Sequence, residues 1–399
     1  MNVLFHMARP LGGDGLSYIG RQTASQLWQR GLLRQVTATA CRQNGIPASH
    51  VRTVRQQAWV DRLLSLRGVR RVSRNLDLGF YANFTCFDWF ASRNIPPCDI
   101  FHGYPDESLR CARKARQQGA RVVMDNPTSH PDCEAELLAA EYERYGVPWR
   151  AFNPRRYDRW RQALDEADYV LVLSQFARQS FLERGFPDDK LSVVPYGVDS
   201  DLFRPRPKHD DVFRVLHVGQ IGLIKGVQYL LEAWSRLSLP NAELVLVGWT
   251  NDNAVDLLRR YEGRCTFRVV EHLESMRQVA EQYNQASVFV AASITDGWAM
   301  TVTEAMASGL PVIVSENVGA KDAVRDGESG FIVPSRSAEA IADRIAEFHR
   351  KRGEIHEIGA VAREDAVPHS WEQYGERLVR AYGRLVDTGP TTRSTSRVH

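Results

Sequence analysis

The stretch Phe213-Arg214-Val215-Leu216-His217-Val218-Gly219-Gln220-Ile221-Gly222-Leu223-Ile224-Lys225-Gly226 decides the fold. Its first six residues read as a strand, rich in Phe, Val and Leu. A short glycine-bearing loop follows, and an amphipathic helix is expected over Gly226–Leu237. Backbone N–H groups at such a helix start, with a lysine beside them, suit a phosphate. Taken alone, the same spacing also fits an ordinary βα turn whose lysine is solvated. Downstream, strands are expected at Glu243–Val247, Ser287–Ala291, Pro311–Ser315 and Gly330–Val333. Upstream, the same rhythm places strands at Asn2–His6, Asp99–His102, Arg121–Met124, Tyr169–Leu173 and Leu191–Val194. Helices are expected from Leu16 to about Arg30 and over Ala177–Arg184. Strands alternating with helices predict mostly parallel sheets covered on both faces. The two sets are separated by Pro195-Tyr196-Gly197-Val198-Asp199 and Phe203-Arg204-Pro205-Arg206-Pro207, a turn-rich boundary. The fold class is therefore α/β, with two Rossmann-like doubly wound domains facing each other across a cleft. The expected division is 1–200, then 201–370, then a helix over 371–387 crossing back to the first domain. The tail 388–399, rich in Thr, Ser and Arg, is expected to be disordered.

Composition narrows the function classes. At 399 residues and 43% hydrophobic, the chain can bury a core in each domain, and 16 Phe, 13 Tyr and 9 Trp exclude disorder as its overall state. A net charge of +3 gives no argument for nucleic acid. The six cysteines include no C-x-x-C pair and no histidine cluster at zinc spacing, which predicts reduced thiols, a cytoplasmic setting and no structural metal. Met1–Ala8 is too short for a secretory apolar region, and no apolar run approaches the ~20 residues of a membrane span.

A second segment carries chemistry: Thr295-Asp296-Gly297-Trp298-Ala299-Met300-Thr301-Val302-Thr303-Glu304-Ala305-Met306-Ala307-Ser308-Gly309-Leu310-Pro311. Asp296 follows a strand and Glu304 lies one turn into the next helix, so both carboxylates can face one strand-end crevice. A carboxylate accepts two hydrogen bonds side by side, which matches the vicinal diol of a ribose. Two plainer roles compete. Thr301-Val302-Thr303-Glu304 has the pattern of a capping box, and Asp296 is a common turn residue.

Together these segments resemble the retaining nucleotide-sugar glycosyltransferases of family 4, which have the GT-B fold. The matches are Gly219, Lys225-Gly226, Glu304-Ala305-Met306, Gly309, Pro311-Val312, and Asp326-Gly327 with Gly330-Phe331-Ile332-Val333-Pro334. Ala167 to Ser174 and Val194 to Pro205 match the end of the first domain and its linker. The resemblance is dense over roughly 165–385 and holds only in outline before that. It implies a nucleotide diphosphate-sugar donor, held at its diphosphate by Lys225, Gln220 and the amides of Gly297, Trp298, Ala299, Met300 and Thr301. Glu304 would hold the ribose. Asp296 and His130 would hold the transferred sugar, with His102 as a second histidine candidate. Gly12 and Gly13, in Gly12-Gly13-Asp14-Gly15, resemble the family's glycine-rich loop facing donor phosphate and acceptor. Tyr18 stands where a third glycine would complete a dinucleotide fingerprint, so a dehydrogenase is disfavoured.

Two positions depart from the family pattern. Asp296 replaces its first glutamate, and Gln220 stands where it has a diphosphate-binding arginine. Asp199-Ser200-Asp201 falls in the linker and reads as a turn, so neither metal nor cofactor is expected. The resemblance implies a front-face route in which the donor phosphate helps deprotonate the acceptor, with no protein nucleophile. The acceptor would be a saccharide, a lipid-linked saccharide or a small molecule, in glycan or cell-envelope polysaccharide biosynthesis. The alternatives are a sugar-nucleotide epimerase or phosphorylase on the same fold, or an inactive nucleotide-sugar-binding subunit. Lastly, Val51–Arg74 carries arginines at 52, 55, 62, 67, 70, 71 and 74 among apolar residues. That pattern fits a solvated arginine-rich helix, a groove for an anionic saccharide, or a peripheral contact at the inner membrane face.

Overall fold

A computed structural model describes residues 1–42, 45–56, 59, 60, 62, 78–147, 154–271, 273 and 275–387. The first half runs β1 (Val3–His6), α1 (Leu16–Gln29), β2 (Leu33–Ala38), β3 (Val51–Thr53), α2 (Leu78–Ser92), β4 (Ile100–Gly103) and α3 (Pro105–Gln117). It continues with β5 (Arg121–Asn126), α4 (Pro131–Arg144), α5 (Pro154–Asp165), β6 (Tyr169–Val172), α6 (Gln175–Leu182) and β7 (Leu191–Val193). The second half runs β8 (Phe213–Val218), α7 (Val227–Ser235), β9 (Ala242–Val247), α8 (Asp252–Tyr261), β10 (Phe267–Val270), α9 (Met276–Gln285) and β11 (Val288–Ala291). Then come α10 (Met300–Ala307), β12 (Val312–Ser315), β13 (Gly330–Val333), α11 (Ala338–Arg350), α12 (Ile355–Ala366) and α13 (Trp371–Asp387).

Among the described residues all strand pairings are parallel, in two sheets ordered β3-β2-β1-β4-β5-β6-β7 and β10-β9-β8-β11-β12-β13. The central strands β1, β6, β11 and β12 are buried at every residue, as a parallel sheet covered on both faces requires. Each sheet reverses its strand order once, between β1 and β4 in the first and between β8 and β11 in the second. Ligands of doubly wound sheets bind outside the carboxyl ends of the strands at such a reversal.

Two helices cross between the halves. The final helix α13 returns to the first half: Tyr374 Oη lies 2.9 Å from Thr23 Oγ1, and Tyr382 Oη lies 2.6 Å from His102 Nδ1. In the opposite direction, α4 sends Leu138 and Tyr142 into the hydrophobic core of the second half. At its end Glu141, fully buried, accepts from Gln228 Nε2 (2.9 Å), Tyr229 Oη (2.8 Å) and Arg336 Nε (2.6 Å).

The structure adds β2, β3 and β10, which the apolar pattern did not reveal. It also alters the reading of 51–74, whose first three residues form an edge strand and not a helix. Arg52 there is turned inward, donating to the carbonyls of Ala91 and Asn94. Most of the remaining segment, and the whole tail 388–399, lie outside the described residues.

Candidate donor and acceptor cleft

A cavity of about 470 Å³ lies between the two strand-order reversals. On the second-half side it is lined by Gln220, Ile224 and Lys225, which follow β8, and by Thr295, Asp296 and Gly297, which follow β11. Close backbone approach fixes these two loops together. Gly226 has φ +68, and a Cβ there would lie 1.8 Å from the Ala292 carbonyl, so only glycine fits. Ile294 N donates to the Ile224 carbonyl at 2.9 Å. Lys225 Nζ therefore reaches Asp296 Oδ2 at 2.5 Å, an ion pair on the cavity wall.

Helix α10 starts beside this pair. Its N-cap, Ala299, holds a left-handed conformation (φ 60, ψ 76), and no side chain caps the helix. The Thr301–Glu304 capping box therefore does not form. Glu304 instead points into the protein, where Tyr283 Oη donates to its Oε2 at 3.0 Å. Burial pushes its carboxyl up to about 7 in spite of that bond. Glu304 is not among the residues lining this cavity. Trp298 is buried against His369, with its indole N–H unpartnered among the described residues.

The first-half wall was not legible in the sequence. Arg9 and Leu16 follow β1; Tyr104, Asp106 and Glu107 follow β4; Pro127, Thr128 and Glu134 follow β5; Arg156 and Trp160 come from α5. A sequence signal existed only for Asp106 and Glu107, two acids a few residues after an expected strand and just past Pro105. Their meaning depends on the strand order, which sequence does not supply. The halves touch at this point: Ser129 Oγ lies 3.1 Å from Thr295 Oγ1, and a Cβ on Gly297 would lie 2.2 Å from the Pro127 carbonyl.

Several sequence candidates sit elsewhere. His130 is the N-cap of α4: its Nδ1 accepts from Asp132 N at 3.2 Å, and its ring packs edge-on against Phe181. It does not line the cavity, and burial lowers its pKa. His102 is fully buried under Tyr382, 3.7 Å from Asp125. Gly12 and Gly13 (φ +93 and +124) form the turn after β1 but do not line the cavity. Asp199 accepts from the amides of Asp201 and Leu202, so the D-x-D string makes a turn. Among the described residues, metal-ligating atoms cluster at His6, Asp88 and Cys111. There Asp88 already accepts from Arg159 and from the amides of Arg110 and Cys111.

Two doubly wound sheets meeting at their strand-order reversals make the two-domain GT-B architecture. A model described as Glycosyltransferase Family 4 matches residues 48–202, and one described as glycosyl transferases group 1 matches 199–365. The chain belongs to the family 4 glycosyltransferases. It is 26% identical over 296 residues to the putative glycosyltransferase EpsD of Bacillus subtilis, covering 69% of this chain and 73% of that one. It is 29% identical over 247 residues to the D-inositol 3-phosphate glycosyltransferase of Mycobacteroides abscessus, covering 57% of this chain but only 54% of that one. Among solved structures, sucrose-phosphate synthase of Thermosynechococcus elongatus superposes with a TM-score of 0.69 at 21% identity, covering 97% of this chain and 99% of that one. HepE of Anabaena in complex with UDP gives 0.67 at 17% identity, covering 96% and 100%. Both share the fold. An epimerase or an inactive subunit is not favoured by these relatives.

Proposed function

We propose that the protein transfers a sugar from a nucleoside diphosphate-sugar to a saccharide acceptor, lipid-linked or free, with retention at the anomeric carbon. The observation that carries this is the Lys225–Asp296 pair at the reversal of the second sheet, facing the acidic start of α3 across the cavity. In this reading the donor diphosphate displaces Asp296 from Lys225, and Gln220 and the uncapped start of α10 supply further donors. Asp296, released from the lysine, turns to the hydroxyls of the transferred sugar. Glu304 takes the ribose diol. No protein group attacks the anomeric carbon; the leaving phosphate receives the acceptor proton on the same face. Neither metal nor cofactor takes part. His130 acts only by capping α4.

The substitutions Lys225→Ala and Glu304→Ala should each lower turnover of UDP- or GDP-sugars by about a hundredfold, with the fold retained by circular dichroism. Near-unchanged turnover in both would defeat the reading. Relatives are named for D-inositol 3-phosphate and for a phosphatidylinositol monomannoside, both hydroxyl-bearing, which supports a hydroxyl-bearing acceptor here. We also propose peripheral contact with the inner, cytoplasmic membrane face through 51–74, where Trp59 stands 72% exposed. No helix among the described residues is long and apolar enough to cross a membrane. Salt-sensitive sedimentation with anionic vesicles, lost when Arg67, Arg70, Arg71 and Arg74 become Ser, would bear this out; equal binding by that variant would refute it.

A further inference from the structure

The first-half wall of the cleft has three features that ordinarily attract an anion: Arg9, Arg156 and the N-terminus of α3. The chain's own carboxylates occupy all three. Arg9 Nε lies 2.9 Å from Glu107 Oε1, and Glu107 Oε2 accepts from Ala8 N at 2.6 Å. Arg156 donates to Asp106 Oδ2 from Nη2 at 2.7 Å and from Nε at 3.1 Å. Both guanidinium groups also lie over the Phe84 ring, at 5.3 and 5.6 Å from its centroid, which holds them in place. Asp106 and Glu107 are themselves in the first turn of α3 and complement its dipole. A third carboxyl, Glu134, lines the same wall, bonded by Thr128 Oγ1 and pushed up by burial. Two guanidinium groups thus face three carboxyl groups. With Asp106 and Glu107 ionised on their arginines, no positive charge is left over, whether or not Glu134 is protonated.

What remains open on this wall suits hydroxyls. Tyr104 is buried and lines the cavity, and its hydroxyl has no partner among the described residues. Trp160 adds an aromatic ring held by Nε1–H donation to Asn126 Oδ1 at 2.8 Å. From these features, and resting on the transferase reading above, we infer that the acceptor sugar entering this cleft is uncharged: a neutral polyhydroxyl ring, not a sugar phosphate. Its hydroxyls donate to the wall carboxylates and meet the Tyr104 hydroxyl. An acceptor phosphate would have to break an arginine–carboxylate pair and sit beside the freed carboxylate, a like-charge contact of high cost.

The test uses the full chain with UDP-glucose and GDP-mannose as donors and matched acceptor pairs: glucose, mannose and N-acetylglucosamine against their 6-phosphates. Products are read by mass spectrometry, and nucleotide binding by thermal shift with UDP and GDP. The uncharged member of a pair should show a kcat/KM at least about tenfold higher. Equal or better use of the phosphates overturns the inference. So does the absence of product from every uncharged sugar while UDP or GDP still stabilises the protein, an outcome that leaves the donor reading standing. If no nucleotide stabilises the protein and no donor is consumed, the transferase reading falls and takes this inference with it. The substitutions Asp106→Asn and, separately, Glu107→Gln release one arginine each and should shift the phosphate-to-neutral ratio toward the phosphate. That ratio does not move if the variant merely loses folded protein, and an unmoved ratio in both variants counts against the inference.

Discussion

Glu304 is a carboxyl whose charge the fold makes expensive. In the unfolded chain it ionises near 4.5; in the folded protein burial holds it protonated up to about 7. Its contribution to stability is therefore complete below pH 4.5, falls between 4.5 and 7, and is gone above that, a loss of about 3 kcal/mol. The Glu304→Gln protein should accordingly melt several degrees above the parent at pH 8 and alongside it at pH 4.5, as differential scanning calorimetry would show. The ribose hydroxyls of a donor favour the charged form, so nucleotide binding near pH 6.5 should release a proton from the parent and none from the variant. Calorimetric titration in buffers of different ionisation heat reads that proton directly. A parent that melts below the variant at pH 4.5 as much as at pH 8 would show that Glu304 carries no such cost.

Helix α4 belongs to the first half by chain order and to the second by packing. His130 caps its start, while Leu138, Glu141 and Tyr142 lie against α7 and Arg336. Arg336 sits at φ +63, a conformation that costs a non-glycine residue about 1–2 kcal/mol and is retained where its guanidinium meets Glu141. Replacing Glu141 by Ala leaves a guanidinium, a phenol and an amide facing a void, and should cost about 3 kcal/mol in urea denaturation. An unchanged midpoint would show that α4 is only loosely held. Legibility from sequence varied at this scale for a physical reason. Central strands such as Val288–Ala291 are apolar at every position because helices cover both faces, so they stand out. Leu33–Ala38 carries Arg34 and Gln35, and Val51–Thr53 and Phe267–Val270 are short edge strands; none has a continuous apolar run. The same logic holds for the site. Lys225 and Asp296 lie in segments whose sequence is distinctive, whereas Arg9, Asp106 and Arg156 come together only because β1 lies beside β4 and α5 packs on α3.

For the whole molecule, the consequential element is α13. Tyr374, Leu378, Ala381, Tyr382 and Leu385 are all nearly inaccessible. They cover a buried polar layer of the first sheet that includes His102, Asp125 and Tyr196, whose hydroxyl donates to Asp125 at 3.1 Å. A chain ending at residue 370 would expose that layer, so its first half should be the less stable one although the cut lies in the second. Hydrogen exchange in β4 and β5 of the truncated protein should quicken by orders of magnitude, while β11 and β12 stay protected. Equal protection in both sheets would show that α13 is dispensable to the first.

The same helix sets an order of events during synthesis. β7 leaves the ribosome while α13 is still untranslated, and at ordinary elongation rates the gap is about 10–35 s. Throughout that time the nascent first sheet holds an ionisable aspartate, a histidine and a set of tyrosines under an open face. A domain that finishes last although it is made first depends on chaperones or on its own solubility for that interval. Rare codons ahead of Trp371 would lengthen the exposure, and the yield of soluble protein would then follow translation speed as well as thermodynamic stability.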